Sequence, residues 1–146
     1  MRNWNKTFIK LARHIASWSK DTSVGTCAII ADDTNRIVSV GYNGFPTGAN
    51  DDLPERYERP QKYLYTEHAE RNAIYNAARI GVSTKDCIMY LMWFPCADCA
   101  RAIIQSGIKK LVCYKPDIDD KIWGEHFKVA LILFKECNVV IEYLKQ

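Results

Sequence analysis

Four side chains with metal-binding or proton-transfer chemistry stand out in this sequence: His68, Glu70, Cys96 and Cys99. Cysteines three residues apart on the first turn of a helix place both sulfurs on one side, and the upstream histidine can supply a third ligand. Three protein ligands leave zinc an open fourth position, which distinguishes a catalytic zinc site from a structural one. The sequence therefore predicts one catalytic Zn²⁺ held by His68, Cys96 and Cys99.

Glu70 follows the predicted histidine ligand by two residues, and it can either bind the metal or move protons beside it. Residues i and i+2 point to nearly opposite sides in mid-helix, so His68 and Glu70 share a target only if a helix begins at about His68. Thr66 is a candidate N-cap for that helix, and Pro95 suits the start of a second helix at Cys96. We therefore expect two helix N-termini facing one zinc, where their dipoles favour thiolates.

Length and composition are those of an ordinary globular protein: 146 residues, 48% hydrophobic and 25% charged. The net charge of +3 suits an anionic small molecule but is weaker than the basic stripe of a nucleic-acid binder. The sequence has neither an apolar run near 18 residues nor a signal-peptide pattern. We therefore expect a cytoplasmic protein in which the six cysteines are free thiols or metal ligands rather than disulfides.

Periodicity predicts strands that alternate with helices, which is typical of an α/β domain. An apolar stripe at helical spacing indicates a first helix packed on the core; its members are Trp4, Phe8, Leu11, Ile15 and Trp18. Two β-branched runs, 24–30 and 37–42, flank a turn cluster and predict a hairpin, which makes the sheet mixed. The remaining predicted elements are helices at 68–80, 96–106 and 122–136 and strands at 87–93, 110–114 and 138–143.

Several segments together resemble the deoxycytidylate (dCMP) deaminases, a family of zinc-dependent enzymes, over about residues 4–141. They are Gly-Tyr-Asn-Gly-Phe-Pro at 41–46, His-Ala-Glu-Arg-Asn-Ala-Ile at 68–74, Phe-Pro-Cys at 94–96 and Ile-Ile-Gln-Ser-Gly-Ile at 103–108. The His-x-Glu and Pro-Cys-x-x-Cys pair alone marks only the wider deaminase superfamily. The resemblance implies a single domain over 1–146 with a three-layer α/β/α cytidine-deaminase-like fold, in which five mixed strands carry helices on both faces.

The resemblance also implies an activity, the hydrolytic deamination of dCMP to dUMP and ammonia, which supplies a precursor of dTTP. Zinc makes hydroxide available at neutral pH, and Glu70 would carry protons to ring N3 and to the departing amine. The substrate contacts implied for this family fall on Ser19, Lys20, Tyr42, Asn43, Ala69, Phe94 and Pro95. Lys20 would be the charge that binds the phosphate, with Arg56 and Arg59 as replacements if Lys20 is a solvated loop lysine.

The loops around these positions leave alternatives open. Gly44 either lets a ligand approach the backbone closely or belongs to a plain Asn-Gly turn. The long charged stretch 49–65 is either a functional lid or a solvated surface loop.

Three functions compete at this level. The first is a free-nucleotide deaminase acting on dCMP, or also on dCTP. The second is a tRNA adenosine or single-strand cytosine deaminase, which would need a basic track and stacking aromatics; acidic residues interrupt the basic ones here. The third is a zinc-stabilised interaction module, which the predicted open metal site disfavours.

Partners are inferred from the resemblance as well. It implies a homo-oligomer, with a hexamer favoured, and dCTP or dTTP effectors that could carry Mg²⁺. We expect neither a nucleic acid nor a membrane as partner.

Overall fold

The computed structural model describes residues 1–145. Its elements, in chain order, are α1 Trp4–Ala16, β1 Cys27–Ala31, β2 Ile37–Tyr42, a 3-10 turn at Pro54–Tyr57, α2 Lys62–Tyr65, α3 Ala69–Ile80, β3 Ile88–Leu91, α4 Ala97–Gln105, β4 Lys110–Cys113, α5 Gly124–Glu136 and β5 Val140–Tyr143. No helix within residues 1–145 is both long and apolar enough to cross a membrane.

The strands form one five-stranded sheet in the order β2-β1-β3-β4-β5. β1 runs antiparallel to β2 and to β3, whereas β3, β4 and β5 run parallel. The hairpin turn is held by the Asp32 carboxylate, which accepts hydrogen bonds from the backbone N–H groups of Thr34 and Arg36. The predicted α/β fold with a five-stranded mixed sheet is therefore confirmed.

Helices cover both faces of the sheet, as expected. Every residue of β1 is buried, and because strand side chains alternate, Ile29 packs with α1 while Ile30 packs with the helices opposite. The α1 face is a cluster built around Phe8, Ile15 and Tyr90. The other face carries α3, α4 and α5 and includes, among others, Ala73, Ile103, Leu111, Ala130 and Phe134.

Several predicted boundaries differ from the structure by one to three residues. The first strand begins at Cys27 rather than Val24, because the backbone of Val24 and Thr26 bonds to the side chain of Asn43 instead of a neighbouring strand. Trp18 lies beyond α1 and is 54% exposed. The backbone N–H groups of residues 17–19 turn back to carbonyls three residues earlier, which ends the helix.

The segment before α3 also differs from expectation. Thr66 is not the N-cap of α3; it ends the short helix α2, and His68 is the N-cap. Between them the chain is extended, because Glu67 pairs with Gly44 through hydrogen bonds in both directions. Gly44 therefore serves this bridge, and an added Cβ there would meet only the Tyr42 ring at 3.9 Å.

Candidate active site

His68, Cys96 and Cys99 form a compact group of potential metal ligands. The Nδ1 atom of His68 lies 3.6 Å from the Cys96 sulfur and 3.5 Å from the Cys99 sulfur. Tetrahedral zinc, bonded at about 2.3 Å to sulfur and about 2.0 Å to nitrogen, holds such atoms about 3.5 Å apart. Both the donor set and the spacing therefore fit Zn²⁺.

Two helix N-termini deliver these ligands. His68 is the N-cap of α3 and Cys96 the N-cap of α4, and neither side chain makes a capping hydrogen bond. Cys99 is fully buried on the first turn of α4. An N-cap side chain that is free of the backbone can bind a metal, and the positive ends of both helix dipoles favour thiolates there.

The pKa values of the two thiols are shifted in opposite directions. A hydrogen bond from the Cys99 thiol outweighs burial and lowers the pKa of Cys96 to about 4. The same contact with Cys96, together with burial, raises the pKa of Cys99. Cys96 therefore gives up its proton more readily than Cys99, and zinc binding requires both cysteines as thiolates.

Glu70 lies on the first turn of α3 and is 8% exposed. Burial raises the pKa of its carboxyl group, although the charge of His68 opposes that shift. Its oxygens are not part of the compact ligand group formed within residues 1–145. Glu70 is therefore a buried carboxyl group on the helix turn next to His68, with a pKa raised by burial.

A cavity of about 380 Å³ opens onto this centre. Its metal-side lining includes His68, Glu70 and Cys96, and Trp123 stands edge-on to the His68 ring with centroids 6.1 Å apart. Polar and charged side chains also line it: Asp21, Ser23, Thr26, Asn43, Arg59, Lys62, Thr66 and Asp120. One cavity, open to solvent, thus joins the metal centre to two cationic groups.

The cationic part of the cavity is built by the long stretch 49–65. Lys62 is 12% exposed and lies 2.7 Å from the carboxylate of Asp21, which is 3% exposed. Burial alone would raise the pKa of Asp21. Hydrogen bonds from the Lys62 side chain and from the backbone N–H and hydroxyl of Ser23 instead hold that pKa below its usual value. Arg59 donates to the hydroxyl of Tyr63 at 2.9 Å. This segment is therefore a cavity wall and not merely a solvated loop.

Of the seven residues implied as substrate contacts, Asn43 and Phe94 line the cavity. Ser19, Lys20, Tyr42, Ala69 and Pro95 do not belong to its lining. The Ser19 hydroxyl instead donates to the backbone carbonyl of Asn43. Tyr42 packs edge-on against Trp18.

Lys20 does not lie in the cavity, where its predicted role as the phosphate contact would require it. Its ammonium group lies 2.8 Å from each of the carboxylates of Asp51 and Asp52, and its side chain is 52% exposed. Two exposed carboxylates thus hold it on the loop surface, outside the cavity. Of the two replacements considered, Arg59 lines the cavity, whereas Arg56 stacks on Tyr65 and donates to the backbone of Asn50.

The sequence analysis missed Lys62, Asp21, Thr66 and Trp123. Lys62 and Thr66 lie at either end of the short helix α2, which four residues of periodicity could not reveal. Trp123 precedes α5, and the Asp120 carboxylate accepts its backbone N–H at 2.7 Å. Asp120 lies four residues before α5 and is of a residue type that favours turns, so the position of Trp123 at the start of the helix could have been predicted.

Comparison with known proteins assigns the family. The model of the cytidine and deoxycytidylate deaminase zinc-binding region matches residues 2–115. An uncharacterised deaminase from the luxG 3′ region of Aliivibrio fischeri is 42% identical over 142 residues, covering 97% of this chain and 93% of the relative. The deoxycytidylate deaminase of Homo sapiens is 42% identical over 141 residues, covering 93% of this chain and 76% of the human protein.

The fold is shared with a solved structure, the dCMP deaminase of cyanophage S-TIM5 in complex with dCMP and dUMP. The TM-score is 0.77 at 22% identity, with 99% of each chain covered. The motifs at 68–74 and 94–99 thus lie within the matched region, on a shared fold. The chain belongs to the cytidine and deoxycytidylate deaminase family.

Proposed function

We propose that this protein deaminates dCMP hydrolytically to dUMP and ammonia. The observation that carries the proposal is a single cavity that joins the His68, Cys96 and Cys99 centre to Glu70 and to the cations Lys62 and Arg59. The cytosine ring of dCMP has to lie at the metal centre, and Lys62 and Arg59 would attract its 5′-phosphate. The human deoxycytidylate deaminase, which is 42% identical to this chain over 141 residues, supports the same substrate.

Zinc, when bound, would supply hydroxide at neutral pH by lowering the pKa of water. Glu70, as a carboxylate, takes the first proton of the attacking water and delivers it to ring N3 of the cytosine as the water oxygen bonds to C4. Glu70 then takes the proton of the new C4 hydroxyl and delivers it to the amino group. The C4–N bond breaks, ammonia leaves, and C4 keeps a carbonyl oxygen. Burial, which raises the pKa of Glu70, suits a group that has to accept and return a proton near neutral pH.

Asn43 and the cationic wall would bind the rest of the nucleotide. The Asn43 side chain is oriented by three hydrogen bonds to Asp21, Val24 and Thr26, which leaves a lone pair on Oδ1 for a substrate donor. We propose Lys62, with Arg59, as the phosphate contacts in place of Lys20. Charge-assisted bonds to phosphate are among the strongest available to a small ligand.

Steady-state kinetics on dCMP, dCTP, deoxycytidine and single-stranded DNA test this function. We expect dCMP to have a higher kcat/KM than deoxycytidine. Lys62→Met should reduce that preference by roughly 10- to 150-fold, the range for a hydrogen bond to a charged group. Lys20→Met is the matched control, because that lysine pairs with carboxylates outside the cavity, and its effect should stay within about twofold.

The outcomes separate the alternatives. Equal kcat/KM for dCMP and deoxycytidine in the wild type would refute the phosphate specificity. Loss of the preference in Lys20→Met but not in Lys62→Met would return the phosphate contact to Lys20. Turnover of dCTP would add a second substrate, and turnover of DNA alone would favour the nucleic-acid deaminase.

We further propose that residues 1–146 form one domain that assembles as a homo-oligomer in the cytoplasm. The sheet extends to β5, beyond the family match, which supports one domain. Exposed apolar side chains at Ile80, Val129, Ile132 and Val140 are available for contacts between copies of the chain. Light scattering tests the hexamer, and repeating it with dCTP or dTTP, with and without Mg²⁺, tests the effectors.

A further inference from the structure

Asp21 is the most heavily hydrogen-bonded carboxylate in the cavity wall. Its Oδ1 accepts from the Ser23 backbone at 2.8 Å, from Lys62 Nζ at 2.9 Å and from the Val24 backbone at 3.3 Å. Its Oδ2 lies 2.7 Å from Lys62 Nζ and accepts from Asn43 Nδ2 at 3.3 Å. With 3% of the side chain exposed, these partners replace water almost completely.

The bond to Asn43 fixes the orientation of that amide group. A carboxylate only accepts hydrogen bonds, so the amide nitrogen of Asn43 has to face Asp21 and the Val24 carbonyl. The amide oxygen then accepts from Thr26 N at 2.8 Å. Ser19 forms a second link, since its hydroxyl accepts from Asp21 N at 3.2 Å and donates to the Asn43 carbonyl at 2.7 Å.

The ion pair between Asp21 and Lys62 opposes phosphate binding electrostatically. The Asp21 carboxylate partly neutralises the ammonium group, so charge alone would make Asp21 unfavourable for anion binding. What the carboxylate provides instead is a fixed position, because a lysine on a four-carbon stem otherwise samples many rotamers. Ser23 adds to this restraint by accepting from the same ammonium group.

We infer that Asp21 is a positioning residue that couples the phosphate contact at Lys62 to the nucleoside contact at Asn43. The inference rests on the proposed function for the roles of these two residues. It adds that neither contact is placed independently: one buried carboxylate holds both, so disturbing one displaces the other. A salt bridge that only stabilised the fold would leave the two contacts independent.

Kinetics on substrates with and without phosphate test the coupling. Asp21→Asn keeps the size of the side chain and removes its charge. We expect kcat/KM to fall about tenfold or more for dCMP and also for deoxycytidine, because both the lysine and the amide lose their restraint. Asp52→Asn, which removes a carboxylate on the loop surface, should leave both rates and the zinc content unchanged.

Two kinetic results would overturn the inference. An unchanged rate on deoxycytidine would mean that Asp21 serves only the phosphate contact. A higher kcat/KM for dCMP in Asp21→Asn would mean that the carboxylate acts only by opposing the anion.

A second measurement does not depend on turnover or on Asp21→Asn folding. In the zinc-loaded protein without nucleotide, the side-chain amide of Asn43 gives its own NMR signals. We expect Lys62→Met to shift these signals and to speed their exchange with water, because Asp21 then loses the partner that holds it against Asn43. Unchanged signals would overturn the coupling, even if the wild type proved to have another substrate. Lys20→Met is the control.

Discussion

At the scale of single residues, Glu70 is the group on which the proposed chemistry depends most. Its carboxyl is buried on the first turn of α3, beside but outside the ligand group. Glu70→Gln keeps the shape and can still hydrogen-bond, but it cannot carry a proton. We expect kcat to fall by at least about 100-fold, the lower end for general acid–base catalysis. Zinc content, measured by elemental analysis, should stay unchanged; a variant that lost its metal would identify Glu70 as a ligand.

Thr66 is the second residue with a specific consequence. Its hydroxyl oxygen is buried and finds no hydrogen-bond partner among residues 1–145. Burying an unpaired hydroxyl costs about 1–3 kcal/mol, so the nearly isosteric Thr66→Val should raise the free energy of unfolding by about 1 kcal/mol. Thermal unfolding measures this as a rise of roughly 2–4 °C in Tm.

Thr84→Val is the matched control for Thr66. Thr84 is also buried, but its hydroxyl donates to the Ser106 carbonyl at 2.8 Å. Removing that donor should lower the free energy of unfolding by about 1 kcal/mol. Two threonine-to-valine changes in one protein should therefore shift Tm in opposite directions; a loss of stability in both would mean that the Thr66 hydroxyl has a partner after all.

The metal-ligand group of the site could be predicted from sequence, whereas the phosphate contact could not. The group His68, Cys96 and Cys99 follows from ligand types and local spacing, which do not require knowledge of distant packing. Choosing between Lys20 and Lys62 as the phosphate contact does require knowledge of distant packing. Both are lysines in polar segments of the sequence, and only the path of residues 49–65 decides which one pairs with surface carboxylates and which one lines the cavity.

At the scale of elements, α3 is placed by its close contact with β2. Gly41 lies so near α3 that an added Cβ would sit 2.2 Å from Ala73 N and 2.5 Å from Ala69 O. These are backbone atoms, so Gly41→Ala has to move the helix that carries His68 and Glu70. We expect a loss of about 1–3 kcal/mol in unfolding free energy, as for overpacked cores, with reduced zinc content and activity.

Gly44→Ala provides the comparison for Gly41. It lies in the same segment, but its added Cβ would meet only the Tyr42 ring at an ordinary 3.9 Å. We expect a change within about 0.5 kcal/mol, since a compatible glycine-to-alanine change acts mainly on the unfolded chain. Urea unfolding of both variants decides this, and equal losses would mean that the β2–α3 contact does not position the helix.

The predicted helices and strands are confirmed where a local sequence pattern dominates a segment. The prediction is wrong at the ends of several elements. The hairpin follows from its β-branched runs and turn cluster, and the helices at 69–80 and 124–136 also follow from local pattern. Val24 has the β-branched character of a strand, but its carbonyl accepts a hydrogen bond from Asn43, a tertiary contact that no local pattern contains. Trp18 continues the apolar stripe of α1, yet the helix ends before it.

At the scale of the whole molecule, the metal centre lies between two helices, α3 and α4, that contact each other directly but pack mainly with different partners. α3 lies against the hairpin strands and α4 against α5, on the same face of the sheet. His68 comes from the start of α3 and the two cysteines from the start of α4. A bound zinc therefore joins the two halves of this face, and its binding free energy adds to folding stability.

Removing zinc should consequently destabilise the whole fold. A metal present at about 1,000 times its dissociation constant contributes roughly 4 kcal/mol, or roughly 8–16 °C in Tm at about 2–4 °C per kcal/mol for a chain of this size. Calorimetry before and after chelation, followed by zinc readdition, measures the shift. Cys99→Ala should abolish the difference, whereas Cys137→Ala, which changes an exposed cysteine on the surface, should retain it. An unchanged Tm in protein shown to be free of zinc would mean that the metal centre does not hold α3 and α4 together.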